Sequence, residues 1–357
     1  MGLKILHSAD WHLDSPFASF REEQRANLRR AQMEIPGQIA MACRENGCDL
    51  VLLAGDLFDG PWTQETLDVV RDALAECRVP VFIAPGNHDP WGVDSPWGEL
   101  WPDNVWIFPP NKCSSILVPE LDCRVYGAGF SGMDCPPLLE GFQADGEEPY
   151  QIGVFHGDPT GGNSPYNPIT TAQIRDSGLN YLALGHIHKA GGLEAGDTVC
   201  GWPGCPMGRG WDETGEKGYL LVEAGRETKV RPVPLNTPRF YQQDVEIGKD
   251  AAAALEAVLP PAGQEDFYRL TLTGYGKPDL SALKRQFAAY RNLELRDRTV
   301  DLGGLWDQAG EDTLRGAYFA RLKAQLDGET DPQIQKQILL AAEISQKLLE
   351  GREVQLP

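Results

Sequence analysis

Five short polar segments, each directly after an apolar run, contain five of the six histidines in this chain. They are Asp10-Trp11-His12, Gly55-Asp56-Leu57-Phe58-Asp59, Gly86-Asn87-His88-Asp89, Phe155-His156-Gly157 and Gly185-His186-Ile187-His188. The apolar runs predict buried strands at 3–7, 50–54, 79–84, 152–155 and 181–184. Because the carboxyl ends of strands form the binding crevice of α/β sheets, we expect the five segments to meet at one edge.

These segments supply the ligand types of a site for two metal ions. Divalent transition ions take imidazole nitrogen, carboxylate oxygen and amide oxygen, and a pair of ions needs one carboxylate that bridges them. The sequence therefore indicates a two-metal site that cleaves phosphoesters. Its candidate ligands are Asp10, His12, Asp56, Asn87, His156, His186 and His188.

Three further residues near these segments have ordinary structural interpretations. His7 lies outside the segments, and strand alternation directs it away from Asp10, so we expect a core histidine. Asp89 and Asp14 are expected to stabilise turns.

The chain of 357 residues is long enough for one full α/β domain and smaller units. We expect a catalytic domain at 1–238, an α/β accessory domain at 239–305 and a helical C-terminal segment at 306–357. Helical spacing of the apolar residues after Asp331-Pro332 leaves an apolar stripe that must be covered, either by the accessory domain or by a partner chain.

Three details of the first domain are also expected from the sequence. Short stretches at 104–108, 113–118 and 122–127 favour a second sheet packed on the first. Four tryptophans near them are assigned to packing rather than to base stacking. The turn-rich segment 158–168 is a candidate substrate loop, with an ordinary connection as the equal alternative. The tryptophans are Trp91, Trp97, Trp101 and Trp106.

Composition limits the partners and the cellular location. The formal net charge of −20 weighs against strong binding to nucleic acid without excluding it. The chain has eight cysteines and no CxxC pair, which favours reduced thiols, and Cys200 and Cys205 are expected in loop-like surroundings. No apolar run reaches the length of a membrane span, so we expect a cytoplasmic protein without membrane contact.

The order and spacing of the five segments resemble those of the calcineurin-like metallophosphoesterases. Within that superfamily, Ile5–Leu13 and Gly55–Asp59 resemble the SbcD and Mre-type DNA repair exonucleases. Ser164–Pro168 and Gly208–Glu213 are similar to the bacterial YhaO-like branch. The resemblance covers about 1–235 and implies a four-layer sandwich of two packed mixed β-sheets flanked by helices, with a small α/β cap and a helical tail.

The resemblance also implies roles for individual residues. One metal is held by Asp10, His12, Asp56 and His188, and the other by Asp56, Asn87, His156 and His186. The implied ions are Mn²⁺, with Fe or Zn as alternatives, and a water molecule that bridges them attacks phosphorus in line. His88 then protonates the leaving oxygen, and Asp59 orients the His88 ring.

The function implied by the resemblance is a Mn-dependent DNA exonuclease or endonuclease of DNA repair, working with an SMC-like ABC ATPase subunit. One alternative is a phosphatase or phosphodiesterase for small molecules or cyclic nucleotides. Another is a non-catalytic scaffold subunit of an ATPase complex, and a homodimer is left open. The candidate substrate contacts are Asn163, Tyr166 and Arg209. A basic stretch at 284–298 is a candidate DNA contact, with a solvated surface as the favoured alternative.

Overall fold

The computed structural model describes residues 2–225, 227–248, 250–261, 265–301 and 303–351. The chain divides into two compact units, one up to Phe240 and one from Tyr241 onward. The strands are, in chain order, β1 (Leu3–Ser8), β2 (Leu50–Leu53), β3 (Val81–Ile83), β4 (Val105–Ile107), β5 (Ser114–Val118), β6 (Cys123–Ala128), β7 (Tyr150–His156), β8 (Tyr181–Gly185), β9 (Gly191–Ala195), β10 (Thr198–Trp202), β11 (Gly218–Ala224), β12 (Lys229–Pro234), β13 (Phe240–Glu246), β14 (Phe267–Thr273) and β15 (Leu293–Asp297). The helices are α1 (Glu22–Met33), α2 (Ile35–Asn46), α3 (Gln64–Glu76), α4 (Thr171–Asp176), α5 (Ala251–Val258), α6 (Leu280–Gln286), α7 (Gly303–Asp307), α8 (Leu314–Gly328) and α9 (Pro332–Leu349).

The first unit contains two six-stranded mixed sheets. The first sheet has the order β12-β11-β1-β2-β3-β4, in which β1 to β4 are parallel and β11 and β12 are antiparallel to their neighbours. The second has the order β5-β6-β7-β8-β10-β9, with a parallel centre from β6 to β10. The predicted fold class, two mixed sheets with helices beside them, is confirmed.

The two sheets pack face to face through an apolar core, because the strands have inward-facing side chains that are fully buried. His7 belongs to this layer, and its Nδ1 lies 2.8 Å from the hydroxyl of Tyr181 on the opposite sheet. Burial lowers the pKa of His7 to about 3, so the ring is neutral there. The expectation of a core histidine is therefore confirmed. The core includes Ile5, Leu52, Phe82, Val125, Val154 and Tyr181.

The structure corrects two details of the predicted sheets. The stretch predicted at 104–108 forms β4, which pairs in parallel with β3 and so belongs to the first sheet, not the second. The hairpin β9–β10 was not predicted, since its glycines weaken the strand pattern. Cys200 lies in β10 and is buried, so the expectation of loop-like surroundings is wrong for this residue.

The second unit contains a three-stranded sheet of order β13-β14-β15 with α5 and α6 packed into the same apolar core. The helices α8 and α9 contact each other, and Phe319 and Ala342 are fully buried between them. Tyr275 and Val300 pack on the same cluster, so the accessory domain covers part of the predicted apolar stripe. The division into separate parts at 239–305 and 306–357 stays a prediction. Among the described residues, no helix has the length and apolarity needed to cross a bilayer.

Phe319→Ala is expected to destabilise the second unit by about 3–5 kcal/mol, because it empties the centre of the small α8–α9 core. Leu314→Ala on the same helix is the matched control, since Leu314 is 90% exposed and its loss should cost less than about 0.5 kcal/mol. Hydrogen exchange of the α8 and α9 amides, followed by mass spectrometry, measures both. Equal protection in the two variants would contradict this packing.

Candidate metal centre

The five polar segments follow β1, β2, β3, β7 and β8, and the structure brings them together where the two sheets approach each other. At this point the sheets are so close that a Cβ atom on Gly185 would lie 2.0 Å from the carbonyl oxygen of Ala54. Four candidate ligands adopt left-handed backbone conformations, which turn their side chains sharply away from the strands. Such conformations persist where the surrounding structure fixes them, often at functional sites. They are Asp10 (φ 53°), His12 (φ 48°), Asp56 (φ 53°) and His186 (φ 95°).

The donor atoms of six predicted ligands converge, and the ring of the seventh, His186, lies 5.2 Å from that of His156, centroid to centroid. The Nε2 atoms of His12 and His188 are 3.1 Å apart. His156 Nε2 lies 2.9 Å from Asn87 Oδ1 and 3.4 Å from Asp56 Oδ2. Asp56 Oδ2 is also 3.8 Å from His12 Nε2, so this carboxylate lies between the two groups of donors.

The hydrogen bonds around the imidazoles fit metal binding. Nδ1–H of His156 donates to the carbonyl oxygen of Ala54 at 2.9 Å, and Nδ1–H of His188 donates to Glu213 Oε1 at 2.6 Å. Both rings therefore direct Nε2 to the centre, as metal-binding histidines do. Burial lowers the pKa of His12, and that of His186 to about 4, which favours the neutral ligand form.

The carboxylates are oriented by backbone groups. The backbone N–H of His186 donates to Asp10 Oδ1 at 2.9 Å, and that of His88 donates to Asp56 Oδ1 at 2.8 Å. Ligand atoms with lone pairs repel one another when they are buried close together with no proton between them. A cation at their centre relieves this repulsion. The residues present therefore fit divalent metal ions.

His88 and Asp59 form a pair at the exposed side of the centre. His88 Nδ1 lies 2.9 Å from Asp59 Oδ1, and the Ser15 hydroxyl donates to Asp59 Oδ2 at 2.8 Å. The hydrogen bond with Asp59 raises the pKa of His88. Burial opposes ionisation of Asp59, but the nearby His12 imidazole and the hydrogen bonds from His88 and Ser15 keep its pKa below the usual range.

A second carboxylate, Glu213, was missed by the sequence reasoning. Besides accepting from His188, it accepts a hydrogen bond from the backbone N–H of Arg209 at 2.8 Å. Burial alone would raise the pKa of Glu213, yet the His188 hydrogen bond and the Arg209 charge lower it to about 2. The segment Gly208–Glu213 stands out in the sequence, but nothing in its pattern places the carboxylate behind a histidine.

Arg209, a candidate substrate contact, lies between two carboxylates. One guanidinium nitrogen is 3.5 Å from Asp59 Oδ2, and the other is 3.4 Å from Glu213 Oε1. The guanidinium therefore joins the His88–Asp59 pair to the carboxylate behind His188. Its charge is shared between these two partners.

The candidate substrate loop has a mixed placement. The ring of Tyr166 lies 4.8 Å from that of His186, centroid to centroid, so it borders the centre. Asn163 is exposed, and no side-chain contact of it with the centre is found in the described part of the chain. Asn167, which was not predicted, is buried and donates from Nδ2 to the carbonyl oxygen of His156 at 2.8 Å.

Asp89 supports the turns that carry the ligands. Its carboxylate accepts hydrogen bonds from the backbone N–H groups of Gly86 at 2.7 Å, Leu57 at 2.6 Å and Phe58 at 3.2 Å. Burial and the neighbouring Asp56 charge raise its pKa to about 7. The expectation that Asp89 stabilises a turn is confirmed, and it joins two turns instead of one.

One family model and several known proteins match this chain. The model of the calcineurin-like phosphoesterase family matches residues 3–190 of the chain. The chain is 35% identical over 245 residues to the uncharacterized metallophosphoesterase YhaO of Bacillus subtilis, covering 62% of this chain and 57% of YhaO, so it spans less than two thirds of that relative. It is 23% identical over 283 residues to the SbcD component of the nuclease SbcCD from the same organism, covering 66% of this chain and 70% of SbcD. A solved dimetal phosphatase from Danio rerio is 14% identical with a TM-score of 0.41, covering 64% of this chain and 98% of the phosphatase.

Glu213→Ala is expected to weaken Mn²⁺ binding by about 10–100-fold, because His188 loses the partner that fixes its Nδ1 proton and ring orientation. Glu216→Ala is the matched control, since Glu216 pairs with Arg239 and its side chain is 65% exposed. Calorimetric titration of both variants with Mn²⁺ measures the difference. Equal Mn²⁺ affinities would show that Glu213 does not orient a ligand.

Proposed function

Because the chain belongs to the calcineurin-like phosphoesterase family, we propose that it is a two-metal-dependent phosphodiesterase that acts on DNA. The observation that carries the proposal is the His88–Asp59 pair beside the convergent donors, at 2.9 Å between His88 Nδ1 and Asp59 Oδ1. This arrangement combines a metal centre with a group that can deliver a proton.

The proposal assigns the donors to two ions that share Asp56. One ion would be held by Asp10, His12, Asp56 and His188, and the other by Asp56, Asn87, His156 and His186. When bound, two divalent cations acidify a water molecule and offset the negative charge that develops on the phosphate oxygens. Imidazole, carboxylate and amide ligands together suit Mn, Fe or Zn better than Mg. Among these, Mn²⁺ is proposed because the motifs resemble those of the SbcD and Mre-type nucleases.

His88 is proposed to protonate the leaving oxygen. Asp59 accepts the hydrogen bond from Nδ1, which favours the cationic ring and leaves Nε2 as the nitrogen that donates. An alkoxide leaves far more readily when a positioned acid protonates it. Asp59, held by Ser15 and Arg209, keeps the His88 ring in place.

DNA is proposed because the motifs resemble those of SbcD and Mre-type nucleases and because SbcD components of the nuclease SbcCD match the chain. The net charge of −20 weighs against strong binding of DNA by this chain alone. We therefore propose that an SMC-like ATPase partner supplies most of the phosphate contacts. The acidic charge gives some support to a second candidate, a diesterase for small or cyclic nucleotides.

The wild type is expected to release nucleotides from end-labelled linear duplex DNA in Mn²⁺, and a chelator should abolish the release. Asp56→Asn should be inactive, because it removes the carboxylate that both ions share. Gel analysis of the labelled products, with a cyclic dinucleotide tested in parallel, measures both activities. Cleavage of the dinucleotide alone would favour the small-molecule candidate, and cleavage of neither would argue against an active diesterase.

His88→Asn should lower kcat/KM about 10²–10⁴-fold on a dinucleotide, whose leaving oxygen needs a proton. It should lower kcat/KM by less than about tenfold on the p-nitrophenyl ester of thymidine 5′-monophosphate, since nitrophenolate leaves without an acid. Asp56→Asn, as the control, should lose both activities. Similar losses on both substrates in His88→Asn would exclude a proton donor role for this residue.

A further inference from the structure

A groove of about 780 Å³ opens beside His88. One wall is the loop after β2, with Pro61 and Trp62, and the other is the segment after His88, which includes Pro90 and Trp91. The groove thus begins at the residue proposed to protonate the leaving oxygen.

The two indole rings of the groove are held by hydrogen bonds. Trp62 Nε1–H donates to the carbonyl oxygen of Asp94, which ties the two walls together, and Trp91 Nε1–H donates to that of Phe108, both at 2.8 Å. An aromatic ring fixed in this way loses little conformational freedom when another ring binds to it.

Trp91 thus differs from its neighbour in the sequence. Trp97 is buried and stacks on Trp101, as expected for packing. Trp91 packs too, through its indole N–H, but it is partly exposed and is also a lining residue of the groove.

The groove has acidic residues and, among its described lining residues, neither lysine nor arginine. The carboxylates are those of Asp89, which is buried, and of Asp94 and Glu99. Away from His88, a phosphate placed in this groove would be repelled by these carboxylates and would meet neither lysine nor arginine. Uncharged rings are the complementary occupants, because stacking on aromatic faces needs no charge.

We propose that this groove binds the base of the leaving nucleoside by stacking on Trp62 and Trp91, and that it holds no phosphate. The inference rests on the proposed function, since His88 defines the leaving-group side. It assigns substrate recognition on this side to one base, while the scissile phosphate is bound at the metal centre.

The test uses dinucleotide analogues in which a methylene group replaces the leaving oxygen, so that binding is measured without cleavage. Calorimetry in Mn²⁺ compares the analogue that carries both bases with two analogues that lack one base each. In the wild type, loss of the leaving-side base should weaken binding by about five- to hundredfold. An added terminal phosphate on that nucleoside should not tighten binding.

Trp91→Ala and Trp62→Ala should each remove most of this difference between the analogues, and Trp91→Phe should retain it. Trp106→Ala is the control, since its ring is 37% exposed and stacks on Phe82. A difference that is unchanged in both alanine variants, or no binding of the complete analogue by the wild type, would overturn the proposal. If the wild type cleaves DNA but the alanine variants leave the difference between the analogues unchanged, only the proposed role of the groove is overturned. If binding depends on the leaving-side base but no diester is cleaved, only the proposed function is overturned.

Discussion

The close approach of the two sheets at Ala54 is the constraint on which the centre depends. The carbonyl oxygen of Ala54, at the end of β2, accepts the hydrogen bond from Nδ1–H of His156 at the end of β7. Gly185 has no Cβ atom, and one would collide with the same oxygen. Four candidate ligands come from segments of the first sheet and three from the second, so neither sheet alone can form the donor set. The centre can therefore assemble only if the two sheets pack against each other.

The turns at the strand ends adopt unfavourable backbone conformations in this arrangement. Left-handed backbone at Asp10 and Asp56 is unfavourable for residues with a side chain and must be stabilised by neighbours. Asp89 supplies part of that stabilisation, because one buried carboxylate accepts N–H groups from the turns after β2 and β3. Asp89, which binds no metal in the proposal, thus holds the turns that carry the candidate ligands Asp56 and Asn87.

Much of the centre was predictable because its information is local. Each candidate ligand follows an apolar run directly, and parallel strands bring such positions to one edge of a sheet. The membership of β4 in the first sheet was not predictable, since a short strand gives no sign of which edge it joins. Glu213 and Asn167 were missed for a related reason. Their roles depend on a histidine distant in sequence, and a single carboxylate or amide in a loop has many ordinary explanations.

Arg209 links the proposed proton donor to a candidate metal ligand, although the sequence motifs for the two are separate. Its guanidinium is shared between Asp59, which orients the proposed proton donor, and Glu213, which orients a candidate metal ligand. A cation between two carboxylates lets both stay ionised while only partly exposed, and each ionised carboxylate then fixes an imidazole N–H. The charge of Arg209 is therefore engaged by two carboxylates of the site. In the proposed function, phosphate binding falls to the metal ions, and the proposed occupant of the groove beside His88 is an uncharged ring.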